Sequence, residues 1–363
     1  MPQIIDMHCD TVVEIQAGID LNTGNPGGHV DLKRLRNGGV FAQVFACFVS
    51  SEIPQNNAFR RANEMIDLLD QLCKAQPDQF HLMKDYTDMI QPVTENGINV
   101  LIAVENGYTI ENDLKNLASL KQKNVCYMTL THSKNLPWAA SSGESGGPFK
   151  GLTAFGRKVV GAMNEMGMVI DVSHVHESTF WDVIRVSKKP IIASHSNARA
   201  ICDTPRNLSD DQIRALADNG GMIGINFFPG FLDQIYATGL KANCGDLFAE
   251  LDKIETVHTA DPSGKRQALL EFSRELQRRM RKYRVPAVRI IDHICHITDL
   301  VGVDHVGFGS DFDGIPAIPD GVQGSDVYPT LTTELVLRGF SEKEILKIAS
   351  GNFMRVLEHN LVL

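Results

Sequence analysis

The chain has 363 residues, 43% hydrophobic and 22% charged, the composition of an ordinary globular protein. Its net charge of −9 argues against nucleic acid or an anionic membrane surface as partner. The opening MPQIIDMHCD has no basic n-region and no long apolar core, and no stretch approaches 18 consecutive apolar residues, so neither a signal peptide nor a membrane span is expected. The seven cysteines are odd in number and form no C-x-x-C pair. That pattern predicts reduced thiols and a cytoplasmic setting.

The first element is a short apolar strand leading into Asp6-Met7-His8-Cys9-Asp10. Side chains two apart on a strand share a side, so His8 and Asp10 are expected to project together, with Cys9 facing away. Residues 22–29 are rich in Gly, Pro and Asn and read as loop. Residues 40–49 are almost uninterrupted apolar, as in a strand covered on both faces. Apolar side chains at helical spacing over 55–75 predict a crossover helix. The buried strand 98–104 ends at Glu105. A short amphipathic helix over 114–123 precedes a strand over 125–130, which stops just before His132. Residues 141–148 are Gly- and Ser-rich and read as a mobile loop at the mouth of a site.

A helix over 153–166 and a strand over 168–172 lead to Ser173-His174. A helix over 178–186 and a strand over 190–194 lead to His195. The helix 210–219, closed by Gly220-Gly221, precedes a seventh strand over 222–228. Residues 241–285 break the alternation. They are charged and helix-prone, with basic residues clustered from Arg278 to Arg284, and read as a solvated helical insertion. The helix 286–301 carries His293 and His296, expected to pack or cap rather than bind metal. An eighth strand over 305–309 runs into Ser310-Asp311-Phe312-Asp313-Gly314, and closing helices follow.

Eight apolar strands separated mostly by helices match a (β/α)8 TIM barrel, an α/β fold, here as a single domain over 1–363 with a helical insertion around 241–285. No G-x-G-x-x-G follows a strand, so a dinucleotide fold has no support. In such barrels chemistry sits at the C-terminal strand ends. That is where His8, Asp10, Glu105, His132, His174, His195 and Asp311 fall. Burying so many ionisable groups without a cation would be costly. Imidazole and carboxylate without thiolate suit Zn²⁺ or a similar divalent ion. The set is too rich for one catalytic zinc. It fits two metals about 3.5–4 Å apart. Glu105 is the natural bridge, with His8 and Asp10 on one ion and His174 and His195 on the other. A metal-bridging hydroxide could attack a carbonyl, with Asp311 orienting the water, taking its proton and passing it to a leaving amine.

The motifs Asp6-x-His8-x-Asp10, Val104-Glu105-Asn106-Gly107, Leu130-Thr131-His132-Ser133-x-Asn135, Asp171-Val172-Ser173-His174, Ser194-His195-Ser196 and Gly309-Ser310-Asp311-Phe312-Asp313-Gly314 jointly resemble those of the membrane (renal-type) dipeptidases. That family is a branch of the amidohydrolase-like metal barrels. The matches run from residue 4 to about 356, including Gly351-Asn352-Phe353-x-Arg355-Val356. The resemblance implies a two-zinc dipeptidase, with His8, Asp10, Glu105, His174 and His195 as ligands and Asp311 as the catalytic carboxylate. It further implies that His132 steadies the oxyanion and that Arg206 grips the terminal carboxylate of a dipeptide. Substrates of the form L-Xaa-D-Xaa and a homodimer are implied by the resemblance alone. Two features depart from the family: Phe231 stands where a substrate-holding Tyr is common, and the insertion 241–285 is longer than expected. The absence of secretory and anchor signals suits a soluble bacterial-type member. The competing expectations are another binuclear-metal hydrolase (a lactonase, cyclic-amide hydrolase or deaminase) and a non-catalytic barrel.

Overall fold

The computed structural model describes residues 2–84, 88, 97–144, 151–257 and 261–361. Among the described residues, nine parallel strands run in chain order: β1 Ile4–Cys9, β2 Val40–Phe48, β3 Phe80–Leu82, β4 Ile98–Glu105, β5 Val125–Thr129, β6 Val169–Asp171, β7 Ile192–Ser196, β8 Met222–Ile225 and β9 Val306–Phe308. Hydrogen bonding links them in the order β2-β1-β9-β8-β7-β6-β5-β4, and β2 pairs with β4 to close the circle. The closing register runs from Ala42 opposite Asn99 to Phe48 opposite Glu105. All eight predicted strands are present, with helices around them, as in a TIM barrel. The ninth, β3, was not foreseen. It is three residues long and pairs with Ile98–Val100 of β4, below the level where β5 begins.

Two hydrophobic layers follow from strand alternation. Ile5, Met7, Leu101, Ala103, Val169, Ile192 and Met222 fill the barrel interior, and the final helix Asn352–Leu361 plugs it from below with Phe353, Val356 and Leu357. Ile4, Val100, Ile102, Ile170, Ala193 and Ile223 face outward into the packed helices. Strict alternation after Ile5 and Met7 would send Cys9 inward and His8 out. Between Asp6 and Cys9, however, three steps on β1 oppose two on β2. One extra residue reverses the phase, so Cys9 joins the outer layer and His8 turns into the barrel. β7 repeats the device between Ala193 and Ser196, and His195 turns inward.

Several predicted boundaries shift. The seventh strand stops at Ile225 rather than 228, because Asn226 leaves the ladder to bond with Asn197 and Asp311. The strand predicted over 190–194 is Ile192–Ser196, so His195 lies within it. The insertion is helical, as predicted, in the segments Gln234–Asn243, Gly245–Phe248, Leu251–Val257 and Pro262–Met280; its residues 258–260 lie outside the described residues. The basic cluster is solvated and partly paired: Arg278 and Arg279 hold Glu275, and Arg284 holds Asp320. His293 packs as expected, accepting from the Ala198 amide and donating to the Leu232 carbonyl. His296 lies 2.8 Å from Asp210.

The bulged backbone of β7 is tolerated because its neighbours lack side chains. A Cβ on Gly224 would stand 2.1 Å from the Ser194 carbonyl oxygen, and one on Gly309 would stand 1.8 Å from it. Gly224→Ala is therefore expected to destabilise the fold by about 1–3 kcal/mol or more through overpacking. Gly161→Ala serves as the control in chemical denaturation. Its Cβ meets nothing within 4 Å on the helix Ala154–Met166, and it should be neutral or stabilising.

Candidate metal centre

The strand ends deliver the predicted residues to one cavity of about 630 Å³. Asp10, Glu105, His132, His174, Arg206 and Asp311 line it, and His8 and His195 lie fully buried at its floor. Glu105 closes β4 with its two oxygens facing different partners. Oε2 stands 3.7 Å from His8 Nε2. Oε1 stands 3.1 Å from His174 Nε2 and 3.4 Å from His195 Nε2. His8 Nε2 also faces Asp10 Oδ2 at 3.5 Å and Asp311 Oδ1 at 4.0 Å. All the sequence-predicted ligand residues are thus brought together. His132 sits at the rim, its ring 4.4 Å from that of His174 and 4.4 Å from that of Phe48.

Hydrogen bonding decides which ring nitrogens carry protons. The Tyr127 hydroxyl donates to the Met7 carbonyl at 2.8 Å and contacts His8 Nδ1 at 2.7 Å. Its one hydrogen is already used, so His8 Nδ1–H must donate to it. His8 Nε2 is left facing carboxylates, with no hydrogen-bond partner among the described residues. His195 follows the same logic. Ser194 Oγ donates to Asp171 at 2.6 Å and accepts from His195 Nδ1–H at 2.7 Å, leaving Nε2 as a lone pair 2.9 Å from His174 Nε2. Lone pairs and carboxylates converging this closely call for a cation. Tetrahedral neighbours around zinc, each about 2.0–2.1 Å from the ion, stand about 3.3 Å apart, close to the spacings around both oxygens of Glu105. The donor set therefore fits a divalent cation at Glu105.

The electrostatics carry the same signature. Burial drives His174 and His195 well below the usual histidine range, reinforced by Arg206 at both and by His8 at His195. Burial would also lower His8, but Glu105 and Asp10 hold it well above that range. Burial would raise Glu105, but the imidazoles of His8 and His132 hold it well below the carboxylate range. Burial, together with Asp10, pushes Asp311 well above it.

Backbone conformation adds to the aim. His174 and Asp311 both adopt left-handed φ, 67° and 64°, which non-glycine residues use sparingly and often at functional sites. The His174 carbonyl is fixed by the Ser142 amide at 2.8 Å and by the Ser142 hydroxyl at 3.0 Å. Asp311 accepts from Asn226 Nδ2 at 2.7 Å. The Gly/Ser-rich loop does reach the mouth, where Ser142 and Gly143 line the cavity. Its first part is anchored, since Ser141 is buried and bonded to the His132 and His174 carbonyls. Residues 145–148 of that predicted loop lie outside the described residues.

Arg206 is buried beside the cluster. Nη1 donates to Ser196 Oγ at 3.0 Å and Nη2 to the His195 carbonyl at 2.8 Å, while Nε has no hydrogen-bond partner among the described residues. Phe231 lies 5.6 Å from the guanidinium carbon. Sequence reasoning missed Tyr127, Asn226 and the roles of Ser194 and Asp171. A tyrosine within VCYMT and an asparagine after MIGI were the available signals, each too common to single out.

The family model for membrane dipeptidase (peptidase family M19) matches residues 2–361. Mouse Dipeptidase 3 is 31% identical over 349 residues, covering 93% of this chain and 59% of that protein. The chain thus spans about three-fifths of the length of this curated relative. A solved structure described as dipeptidase AC, an M19 metallopeptidase, superposes with a TM-score of 0.80 at 25% identity over 99% of both chains. A metallopeptidase from Rhodobacter sphaeroides, solved with a phosphinate mimic of L-Ala-D-Ala, gives 0.79 at 24% identity, also over 99% of both.

Tyr127→Phe removes the group that fixes the His8 ring while keeping its bulk. Metal affinity, measured by competition with a chelator, is expected to fall about 10–100-fold, the usual cost of losing a partner behind a ligand. Unchanged affinity would contradict this role.

Proposed function

The chain belongs to the membrane dipeptidase family, and from that premise we propose that it is a two-zinc dipeptidase acting on dipeptides with a free C-terminal carboxylate. The observation that carries this reading is the division of Glu105: one oxygen faces His8, the other His174 and His195. His8 and Asp10 would hold one ion, His174 and His195 the other, with Glu105 between them. Bound there, a zinc pair supplies an acidified water and an electrophile for the scissile carbonyl.

The remaining roles belong to side chains. Arg206 binds the substrate carboxylate; its buried, unpartnered Nε–H and its place in the cavity wall support this. The anchor limits the enzyme to short peptides. Asp311, aimed by Asn226, takes the proton of the attacking water and delivers it to the amine as the C–N bond breaks. Burial pushes the His132 imidazole below its usual range, so it acts as a neutral donor toward the oxyanion. Phe231 keeps a ring beside Arg206 but lacks the hydroxyl of a Tyr, a change that bears on affinity or substrate range rather than on bond cleavage. We extend the substrate range to L-Xaa-D-Xaa.

One catalytic domain over the whole chain is part of the proposal, supported by a core cluster running from Ile4 to Ala349. So are a homodimer and a cytoplasmic setting; the seven free thiols support the latter. No helix among the described residues is long and apolar enough to cross a membrane.

The test combines zinc content per chain with hydrolysis of L-Xaa-L-Xaa and L-Xaa-D-Xaa dipeptides, each free or amidated at the C-terminus. About two zincs per chain and cleavage of the free acids alone are expected. Arg206→Ala should lower kcat/KM about 10–100-fold, the value of a charged hydrogen bond. Asp311→Asn should lower kcat about 10²–10⁴-fold. Equal cleavage of amidated substrates would favour another binuclear-metal hydrolase, and a metal-loaded protein that cleaves nothing would overturn the reading.

A further inference from the structure

The insertion does not merely project into solvent. Its helices Gly245–Phe248, Leu251–Val257 and Pro262–Met280 supply Phe248, Leu251, Leu269 and Phe272 to the lining of the same cavity that Arg206 and Glu105 line. Phe248 and Phe272 meet edge to face at 5.6 Å, which makes the wall continuous.

The long helix of this wall is braced at both ends. Near its start, Arg266 Nε reaches Glu14 at 2.6 Å, and its Nη2 reaches the Pro26 carbonyl at 2.6 Å. Near its end, Arg279 holds Asp246 at 2.6 Å and the Asn243 carbonyl at 3.1 Å. A wall fixed in this way presents a defined surface to whatever enters.

The charges at the rim are engaged within the protein. Lys265 Nζ lies 2.8 Å from Glu255 Oε2 and over the ring of Phe48 at 5.9 Å. Lys134 lies 3.5 Å from Glu52. A charged substrate side chain would have to break such pairs, whereas an apolar one would displace only water from an apolar wall.

We propose that the helices Gly245–Phe248, Leu251–Val257 and Pro262–Met280 form the specificity wall of the site and select dipeptides carrying at least one bulky apolar side chain. This rests on the dipeptidase reading.

The experiment measures kcat/KM for Xaa-Ala and Ala-Xaa dipeptides of the metal-loaded enzyme, with Xaa as Ala, Leu, Phe, Glu or Lys. Leu or Phe in at least one position is expected to exceed Ala by about tenfold or more, with Glu and Lys below both, since each group that fills an apolar pocket contributes about 10-fold or more. Leu251→Ala and Leu269→Ala, at half-buried positions, should each reduce the Phe-to-Ala ratio about tenfold, with thermal midpoints recorded alongside. The wild-type ratios test the idea even if one variant folds poorly. Cleavage of Ala-Ala as fast as the bulky substrates, or a ratio unmoved by both variants, overturns the specificity wall and leaves the dipeptidase reading intact. Failure to cleave any dipeptide overturns both.

Discussion

Glu105 is a carboxylate at the floor of a cavity, 3% exposed, and an uncompensated charge there would be too costly to keep. The imidazoles of His8, His174 and His195 converge on it, leaving the balance of charge to a cation, and much of the upper barrel exists to hold them. Tyr127 fixes the ring of His8, and Ser194, itself held by Asp171, fixes that of His195. Asp171 also accepts from the amides of Ser173 and Ser194 at 2.9 Å each, tying the ends of β6 and β7 together. Asp6 does the same for β1 and β9 through the amide and hydroxyl of Ser310. Asp171 and Asp6 thus stitch together the strand ends around Glu105.

The same demand explains the irregular strands. A barrel interior is normally filled with alternating apolar side chains. Turning two histidines inward from positions that alternation assigns to the outside takes one extra residue on β1 and one on β7. The backbone shift at β7 is then absorbed by Gly224 and Gly309, whose bare Cα atoms leave room for the Ser194 carbonyl. Bulge and glycine form one device, in which neither part works without the other.

Much of this was legible in the sequence, because apolar runs of strand length ending in ionisable residues are rare by chance. The eight barrel strands and the gathering of ionisable residues at their ends could both be read that way. What escaped depended on contacts between distant segments. β3 is only three residues long and carries no pattern. The bulges insert a residue without changing composition, so His8 and Asp10 were expected on one strand face. In the structure Asp10 lies just beyond β1 and comes within 3.5 Å of His8 from there. The insertion reads as solvated because its outer face is charged, and the apolar residues it turns to the cavity are too few to outweigh those charges in a helical pattern.

The cluster draws its members from residue 8 to residue 311, and the circle that brings them together closes through the pairing of β2 with β4. No local segment contains enough donors to hold an ion well, unlike small domains whose metal directs their folding. Contacts of such long sequence separation form late and slowly. The centre therefore comes into being only once the polypeptide is complete and wound. Loading is an act of the finished protein rather than a step in its making, and the apo form has to be a folded species in its own right.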